Sequence, residues 1–395
     1  MKVQEITIHT RLEPQKLSAR ETPHATIEPN TTCNIRCSSC YCIDEAVMKS
    51  LSQVLDEIDL AIAKRNLDAV SLLGGEPTLH PDIVRIVQYV KSKGLVCLLL
   101  TNGVRFVRDG DVELLDALVR AGVDRFLVHI DQGQKHVHGD IDLARHVMFD
   151  MLDQRRVFYG LSLTLYPGQE DALPAIMRAY ARHPYFDGVL CTLSFEIEHA
   201  FGEYDRERRT SMAKVFRGIS EGLHIEPAAY LPSSTDDDEV CWLMYFYYLN
   251  VETGATFELS PEINRGFKAL FRKVKGHHFF AETMRPEWIP ASLAATAAAE
   301  IVLHPSRTLA LVHLLQGSHR ASALRFHYIV VQQAPLLDRE SGRVQICWQC
   351  PDATIRNGRL TPVCIAGQVN PLGGRPVTAP PEIVREVLSH LGEIP

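Results

Sequence analysis

The sequence predicts an α/β protein: a partial (βα)6 barrel followed by a C-terminal α+β domain that carries a metal site. Three observations predict it. Short β-rich segments alternate with longer amphipathic ones from residue 24 to about residue 225, that alternation then stops, and most of the ten cysteines fall into two short stretches. Alternation at this spacing means parallel strands joined by crossover helices, with near-continuous apolar strands because both sheet faces are covered.

Residues 24–29 read as the first strand, followed by a cysteine-bearing loop. Residues 47–64 have helical apolar spacing at Val47, Leu51, Val54, Ile58 and Ala61. Residues 69–73 form the second strand, 82–92 a helix, 96–100 the third strand, and 111–121 a helix that Gly122 stops. Strand four covers 126–130, a helix 141–152, strand five 161–166, a helix 173–181 and strand six 189–195. Six units are too few for a closed eight-stranded barrel of the TIM type and suit a partial one, whose ligands belong at the C-terminal ends of the strands. Beyond residue 225, residues 233–239 are a polar, acidic linker and 241–251 a buried apolar strand. Residues 291–303 and 306–316 are helical, and 326–332 form a strand. The expected division is an extension over 1–23, the barrel over 24–225 and the C-terminal domain over 226–395.

With 46% hydrophobic and 23% charged residues, a chain of 395 residues buries a large core. Forty-one basic against 48 acidic side chains, a net charge of −7, do not support a broad nucleic-acid surface. The first twenty residues lack the apolar centre of a secretory signal, and no run approaches the roughly 18 apolar residues of a membrane span. A soluble protein of the reducing cytoplasm is expected, where clustered cysteines mean metal or redox chemistry.

Cys33, Cys37 and Cys40 are spaced C-x3-C-x2-C in the loop after the first strand. A [4Fe-4S] cube normally takes four cysteines, so three leave one iron open, as a catalytic zinc site leaves a position open. Cys42 would have to wrap sharply to ligate and reads as a neighbour. After the second strand comes Gly74-Gly75-Glu76-Pro77, where two glycines allow close backbone approach. Together these motifs resemble the radical S-adenosylmethionine (radical SAM) superfamily. The resemblance implies a cube on Cys33, Cys37 and Cys40, S-adenosylmethionine on the open iron, and the 74–77 edge against its methionyl amino group. It further places Asn102 and Asp131 near the nucleoside and carboxylate. Thr164 on strand five is a candidate to point inward, with the phase left open by period-two alternation alone. Taken alone, Asn102-Gly103 is also a generic turn and Asp131 a helix cap. Many members carry an aromatic or large apolar residue before the third cysteine; here Ser39 stands there, so Tyr41 is the candidate for packing on adenine.

The implied activity is reductive cleavage of S-adenosylmethionine to a 5'-deoxyadenosyl radical, which takes hydrogen from an unactivated carbon of a small-molecule or lipid-like substrate. The electron would come from a donor such as flavodoxin or ferredoxin. A peptide-modifying maturase and a non-catalytic iron–sulfur carrier are the alternatives. Cys347, Cys350 and Cys364 form a second pattern, C-x2-C-x13-C, which Cys241 could complete. A second iron–sulfur cluster is favoured over zinc, with unmetallated core cysteines as the third reading. Asn357-Gly358 marks a hairpin turn within this stretch. Cys97 and Cys191 fall inside strands and read as core, with Cys191 also a candidate catalytic hydrogen donor. His136, His138, His277 and His278 could touch substrate but are unclustered.

Overall fold

The computed structural model describes the chain apart from residues 7–11, 13, 38, 45, 195–209, 279–288, 317–322, 338–343 and 394–395. Its first half is the alternation read from the sequence. In order come β1 (His24–Asn30), α1 (Leu51–Lys64), β2 (Ala69–Gly74), α2 (Ile83–Ser92), β3 (Val96–Thr101) and α3 (Val112–Ala121). These are followed by β4 (Arg125–Val128), α4 (Ile141–Gln154), β5 (Phe158–Leu165), α5 (Ala172–Tyr180) and β6 (Phe186–Leu193). Each of the six strands pairs in parallel with the next. Helix α3 ends where Gly122 takes up φ 104°, a left-handed conformation that glycine adopts without a Cβ penalty. The expected end of strand six, Phe195, lies outside the described residues.

Helix α1 starts four residues later than its apolar spacing suggests. Ser50 caps it, accepting from the Gln53 N–H. Residues 47–49 instead run back along β1: Thr31 N donates to Val47 O at 2.9 Å and Lys49 N to Pro29 O at 3.1 Å. The loop between them, which carries the first cysteines, is thereby closed at its base.

The second half contributes α6 (Met212–Leu223), β7 (Ala229–Pro232), β8 (Val240–Asn250), β9 (Thr256–Glu258), α7 (Pro261–Lys275), α8 (Ile289–Leu303) and α9 (Thr308–Leu315). It ends with β10 (Leu324–Gln332), β11 (Leu336–Leu337), β12 (Val344–Gln345), β13 (Ala353–Arg356), β14 (Arg359–Pro362) and α10 (Pro381–His390). Its strands extend the same sheet at both edges, in the order β14-β13-β1-β2-β3-β4-β5-β6-β10-β8-β7. Because β13 is parallel to β1 and β10 parallel to β6, eight neighbouring strands run in one direction. The two edges approach each other through residues 346–352: Cys347 bridges Ser233 beyond β7, and Trp348 N donates to Pro232 O at 2.9 Å.

Alternation along each strand separates a helix face from an interior face. Tyr159 and Phe186 face the helices, where they pack with Phe149 of α4 and Tyr180 of α5; the Phe149 ring lies 4.7 Å from Tyr159 and 5.0 Å from Tyr180. The interior side is polar at several levels, with a buried Arg125–Asp187 pair at 2.6 Å and His24 Nε2 at 2.8 Å from Ser71 Oγ. The apolar run read as a buried strand is β8, and every one of its eleven residues is buried.

Candidate active site

Cys33, Cys37 and Cys40 sit in the loop that leaves the C-terminal end of β1. Two neighbouring strand ends reach across to it. Asn102 beyond β3 points its Nδ2 at Cys33 Sγ (3.7 Å) and donates to Asn34 Oδ1 (2.8 Å); Gln134 beyond β4 points its Nε2 at Cys37 Sγ (3.6 Å). Desolvation in the crowded loop, followed by the charge of Cys40, pushes the Cys37 thiol up to about 12. Cys33 and Cys40 are raised mainly by the same desolvation, and Cys40 also feels Cys33. Three thiols this close hold their protons at neutral pH, and a cationic iron centre is the partner that would make them thiolates. No three cysteine sulfurs among the described residues lie within 4.8 Å of one another, the spacing that would suit a single ion. A cube gives each thiolate its own iron and accepts a wider set. Cys42 turns away: its Sγ lies 3.8 Å from Thr31 O, and burial and the nearby Glu28 keep it protonated.

The Gly74-Gly75 pair serves the chain's own packing. A Cβ on Gly74, at φ 124°, would sit 2.3 Å from Asn30 O, and one on Gly75 would sit 2.1 Å from Thr32 O. Without them the backbone comes close enough for Gly75 N to donate to Asn30 O at 2.9 Å and Glu76 N to Thr32 O at 2.8 Å. The buried Glu76 carboxylate is equally committed. Its Oε1 accepts from Thr78 N (3.1 Å), Thr78 Oγ1 (2.6 Å) and Thr101 Oγ1 (2.9 Å), and its Oε2 from Asn102 N (2.7 Å). Burial raises its pKa against these four donors. Glu76 therefore positions Asn102, and Pro77 is buried at the start of the short turn that follows.

Asp131 accepts from Gly133 N at 2.8 Å and from Thr164 N at 3.0 Å, tying the end of β4 to β5. The Thr164 side chain lies on the interior face, in register with Thr192 of β6 and Gln332 of β10. Thr192 Oγ1 donates to Gln332 Oε1 at 3.1 Å, and Gln332 Nε2 donates to Asp352 Oδ2 at 2.8 Å. Apart from Thr164, this polar row escaped the sequence reading, as did Gln134. The available signal was a polar residue ending an otherwise apolar strand. The Tyr41 phenol is buried among Glu28, Cys40, Cys42 and Asp352, and burial raises its pKa far above the ordinary value. Cys191 alternates with Thr192 and so faces the helices, fully buried and away from the polar row. His138 Nε2 lies 3.0 Å from Asn102 O, while His277 and His278 pack by Asp68 and Glu21 at the opposite end of the strands.

The second cysteine group also converges. Contact with the Cys241 sulfur, then burial, raises Cys347; contact with Cys347, then burial, raises Cys350; Cys364 is raised by burial and by Cys350. Cys241 comes from β8, Cys347 and Cys350 from the segment that joins the sheet edges, and Cys364 from the turn after β14. Arg65, buried at the end of α1, holds this segment in place: its Nη1 donates to His24 O (2.7 Å) and Pro351 O (3.1 Å), and its Nη2 to Cys350 O (2.9 Å).

An α/β barrel with a three-cysteine loop and a glycine edge at its strand ends defines a class of cluster-dependent protein, and residues 27–149 match the family model described as the Radical SAM superfamily. That segment thus carries a radical SAM domain, and the match implies a [4Fe-4S] cluster and binding of S-adenosylmethionine. Among curated proteins, GTP 3',8-cyclase of Chlorobaculum tepidum is 32% identical over 120 residues, which is 28% of this chain and 34% of the relative. PqqA peptide cyclase of a Methylobacterium species is 32% identical over 160 residues, 37% of this chain and 40% of the relative. The chain thus spans well under half the length of these relatives. The crystal structure of Streptococcus suis SuiB matches with 13% identity and a TM-score of 0.41, over 52% of this chain and 46% of that one. No helix among the described residues is long and apolar enough to cross a membrane.

Proposed function

We propose that this protein is a radical SAM enzyme that abstracts hydrogen from an unactivated carbon of a small polar molecule. The observation that carries the reading is the loop of Cys33, Cys37 and Cys40 at the strand ends, with Asn102 and Gln134 aimed at two of its sulfurs. The cluster together with S-adenosylmethionine would supply reductive carbon–sulfur cleavage and hydrogen-abstracting power there. The chain's own part is to position and enclose. Asn102 and Gln134 steady the loop, and the backbone edge at Gly74-Gly75 offers the cofactor a surface without side chains. Thr164, Thr192, Gln332 and Asp352 present hydroxyl, amide and carboxylate groups to a substrate inside the barrel. Those groups favour a polar substrate over a lipid-like one, and the apolar strand β8 is buried along its whole length. Cys241, Cys347, Cys350 and Cys364 would hold a second iron–sulfur cluster, with zinc as the competing occupant. A donor such as flavodoxin or ferredoxin would supply the electron.

Anaerobic reconstitution followed by S-adenosylmethionine and dithionite tests the reading. 5'-Deoxyadenosine should form, Cys37→Ala should abolish it together with the iron of the first site, and Cys350→Ala should leave that iron in place. An intact first cluster that yields no deoxyadenosine would make the protein an electron carrier instead. Turnover of a peptide would replace the small-molecule assignment.

A further inference from the structure

We propose that the chain binds a small organic anion, an oxyanion head group on a compact apolar body, in a cavity at the N-terminal ends of β1, β2 and β3, opposite the cysteine loop. The cavity has a volume of about 360 Å³, a size usual for small-ligand sites, and Arg20, Arg65 and Lys93 line it with no acidic side chain among them. Arg20 lies in the turn before β1, Arg65 between α1 and β2, and Lys93 between α2 and β3.

Cations at helix C-termini commonly answer the partial negative charge of the last carbonyls. That accounts for Lys93 but not for the two arginines. Arg20 belongs to no long helix, and its side chain makes no hydrogen bond or ion pair among the described residues. Arg65 is buried, and its Nη atoms turn away from α1 to donate to His24 O (2.7 Å), Pro351 O (3.1 Å), Gln349 O (3.3 Å) and Cys350 O (2.9 Å). All four acceptors are neutral carbonyls, and the buried Nε has no partner. The carboxylates nearby are engaged by other cations: Asp68 pairs with Lys275 at 2.8 Å, Glu21 with Arg272, and Asp59 with Lys93 at 2.7 Å in an exposed pair that a ligand can displace. A buried guanidinium without a counter-ion, sharing a cavity with a second unpaired one, is a site that an anion completes. Guanidinium groups hold phosphate and carboxylate oxygens through two parallel N–H bonds, and the unengaged Arg20 supplies that fork. Ile62, Leu67 and Leu95 give the same cavity an apolar wall, which calls for a nonpolar body behind the head group. The site is regulatory, because the substrate-facing row of Thr164, Thr192 and Gln332 lies at the far end of the strands, while Arg65 connects the cavity to residues 349–351 and so to Cys350.

The test is isothermal titration calorimetry of the full chain after anaerobic iron–sulfur reconstitution, at low ionic strength, with phenyl phosphate, benzoate and inorganic phosphate as probes. Phenyl phosphate or benzoate should bind once per chain with a submillimolar Kd, the tighter of the two identifying the head group, and inorganic phosphate should bind more weakly than phenyl phosphate because it leaves the apolar wall bare. Arg20→Gln should weaken binding about tenfold and Lys93→Gln about threefold, whereas Arg85→Gln, at an exposed position elsewhere on α2, should leave it unchanged. Arg65 is kept in every variant, since its four backbone bonds hold the fold. Equal binding by wild type, Arg20→Gln and Lys93→Gln, or no saturable binding of phenyl phosphate or benzoate at millimolar concentration, would overturn the assignment.

Discussion

Replacing Arg356 with Met tests how the first cysteine loop is held. The guanidinium, 1% exposed, donates through Nε to Glu28 Oε2 at 2.6 Å, through Nη2 to Glu28 Oε1 at 2.7 Å and through Nη1 to Asp44 Oδ2 at 2.5 Å. Both carboxylates are fully buried. An exposed pair would contribute about 0–1 kcal/mol. Here the variant strands two buried charges, and removing one partner of a buried pair costs about 3–5 kcal/mol. Against a total stability of about 5–15 kcal/mol that is a large fraction. Burial alone would raise the Glu28 carboxyl, but Arg356 outweighs it and holds the group below the usual range. In the wild type this contribution is present above the unfolded pKa of about 4.3 and is lost as pH falls through the lower folded value. In Arg356→Met burial is opposed only by the weaker pull of Lys49 and Thr354, the folded pKa rises, and protonation of Glu28 restores stability as pH falls. The difference between the two proteins should therefore be largest at neutral pH and shrink toward pH 4. Urea unfolding at several pH values, analysed with a common slope, measures it. Adding Glu28→Gln to Arg356→Met should recover part of the loss. A neutral-pH cost below about 1 kcal/mol, or a cost that does not change with pH, would refute the reasoning.

Three further predictions follow from single contacts. Gly75→Ala would place a Cβ 2.1 Å from a backbone oxygen that cannot rotate away, so a loss of about 1–3 kcal/mol in thermal unfolding is expected, with iron lost from the first site; iron content equal to wild type counts against this. Glu76→Gln turns an amide donor toward N–H and O–H donors, costs about 1–3 kcal/mol, and should lower cluster retention through Asn102, as iron analysis would show. Burial pulls His327 down to about 4, so the folded state keeps this ring neutral. Stability should be full above the unfolded pKa of about 6.5 and fall by up to about 3 kcal/mol as pH drops toward 4. His327→Phe should flatten that limb of a pH–stability curve.

The parallel strands were legible because burial on both faces leaves continuous apolar runs, and the cysteine and glycine motifs because their chemistry is local in sequence. Long-range pairing left no such trace. Strand β13 has only four residues, Ala353–Arg356, and nothing in their spacing announces that Thr354 will sit beside Thr26. Helix α7 was missed although Ser260 caps it and Pro261 opens it, both local signals. Thr192, Gln332 and Asp352 come from three separate segments, so their convergence exists only once the sheet curves. Gly74 and Gly75 were legible as a close approach, but the partner turned out to include the chain's own backbone at Asn30 and Thr32.

The first cysteine loop depends on the far end of the chain, and this bounds what a shorter piece can do. Besides the Arg356 contact with Asp44, Leu372 N donates to Asp44 Oδ1 at 3.0 Å, Arg375 donates to Ile43 O, and Gly367 packs against the Ile43 side chain with no room for a Cβ. The stretch from Cys350 to Arg356 runs through β13, so the residues that would hold the second cluster are covalently continuous with the brace of the first. A chain cut after β10 keeps all three loop cysteines and the whole family-matched segment 27–149. It leaves Glu28 and Asp44 as buried charges without the Arg356 guanidinium, and it removes the strand beside β1. Such a fragment, reconstituted anaerobically, should retain less iron at the first site than the full chain carrying Cys350→Ala, although that variant has also lost a second-site thiol. Equal iron in the two would show that the loop stands without its C-terminal brace.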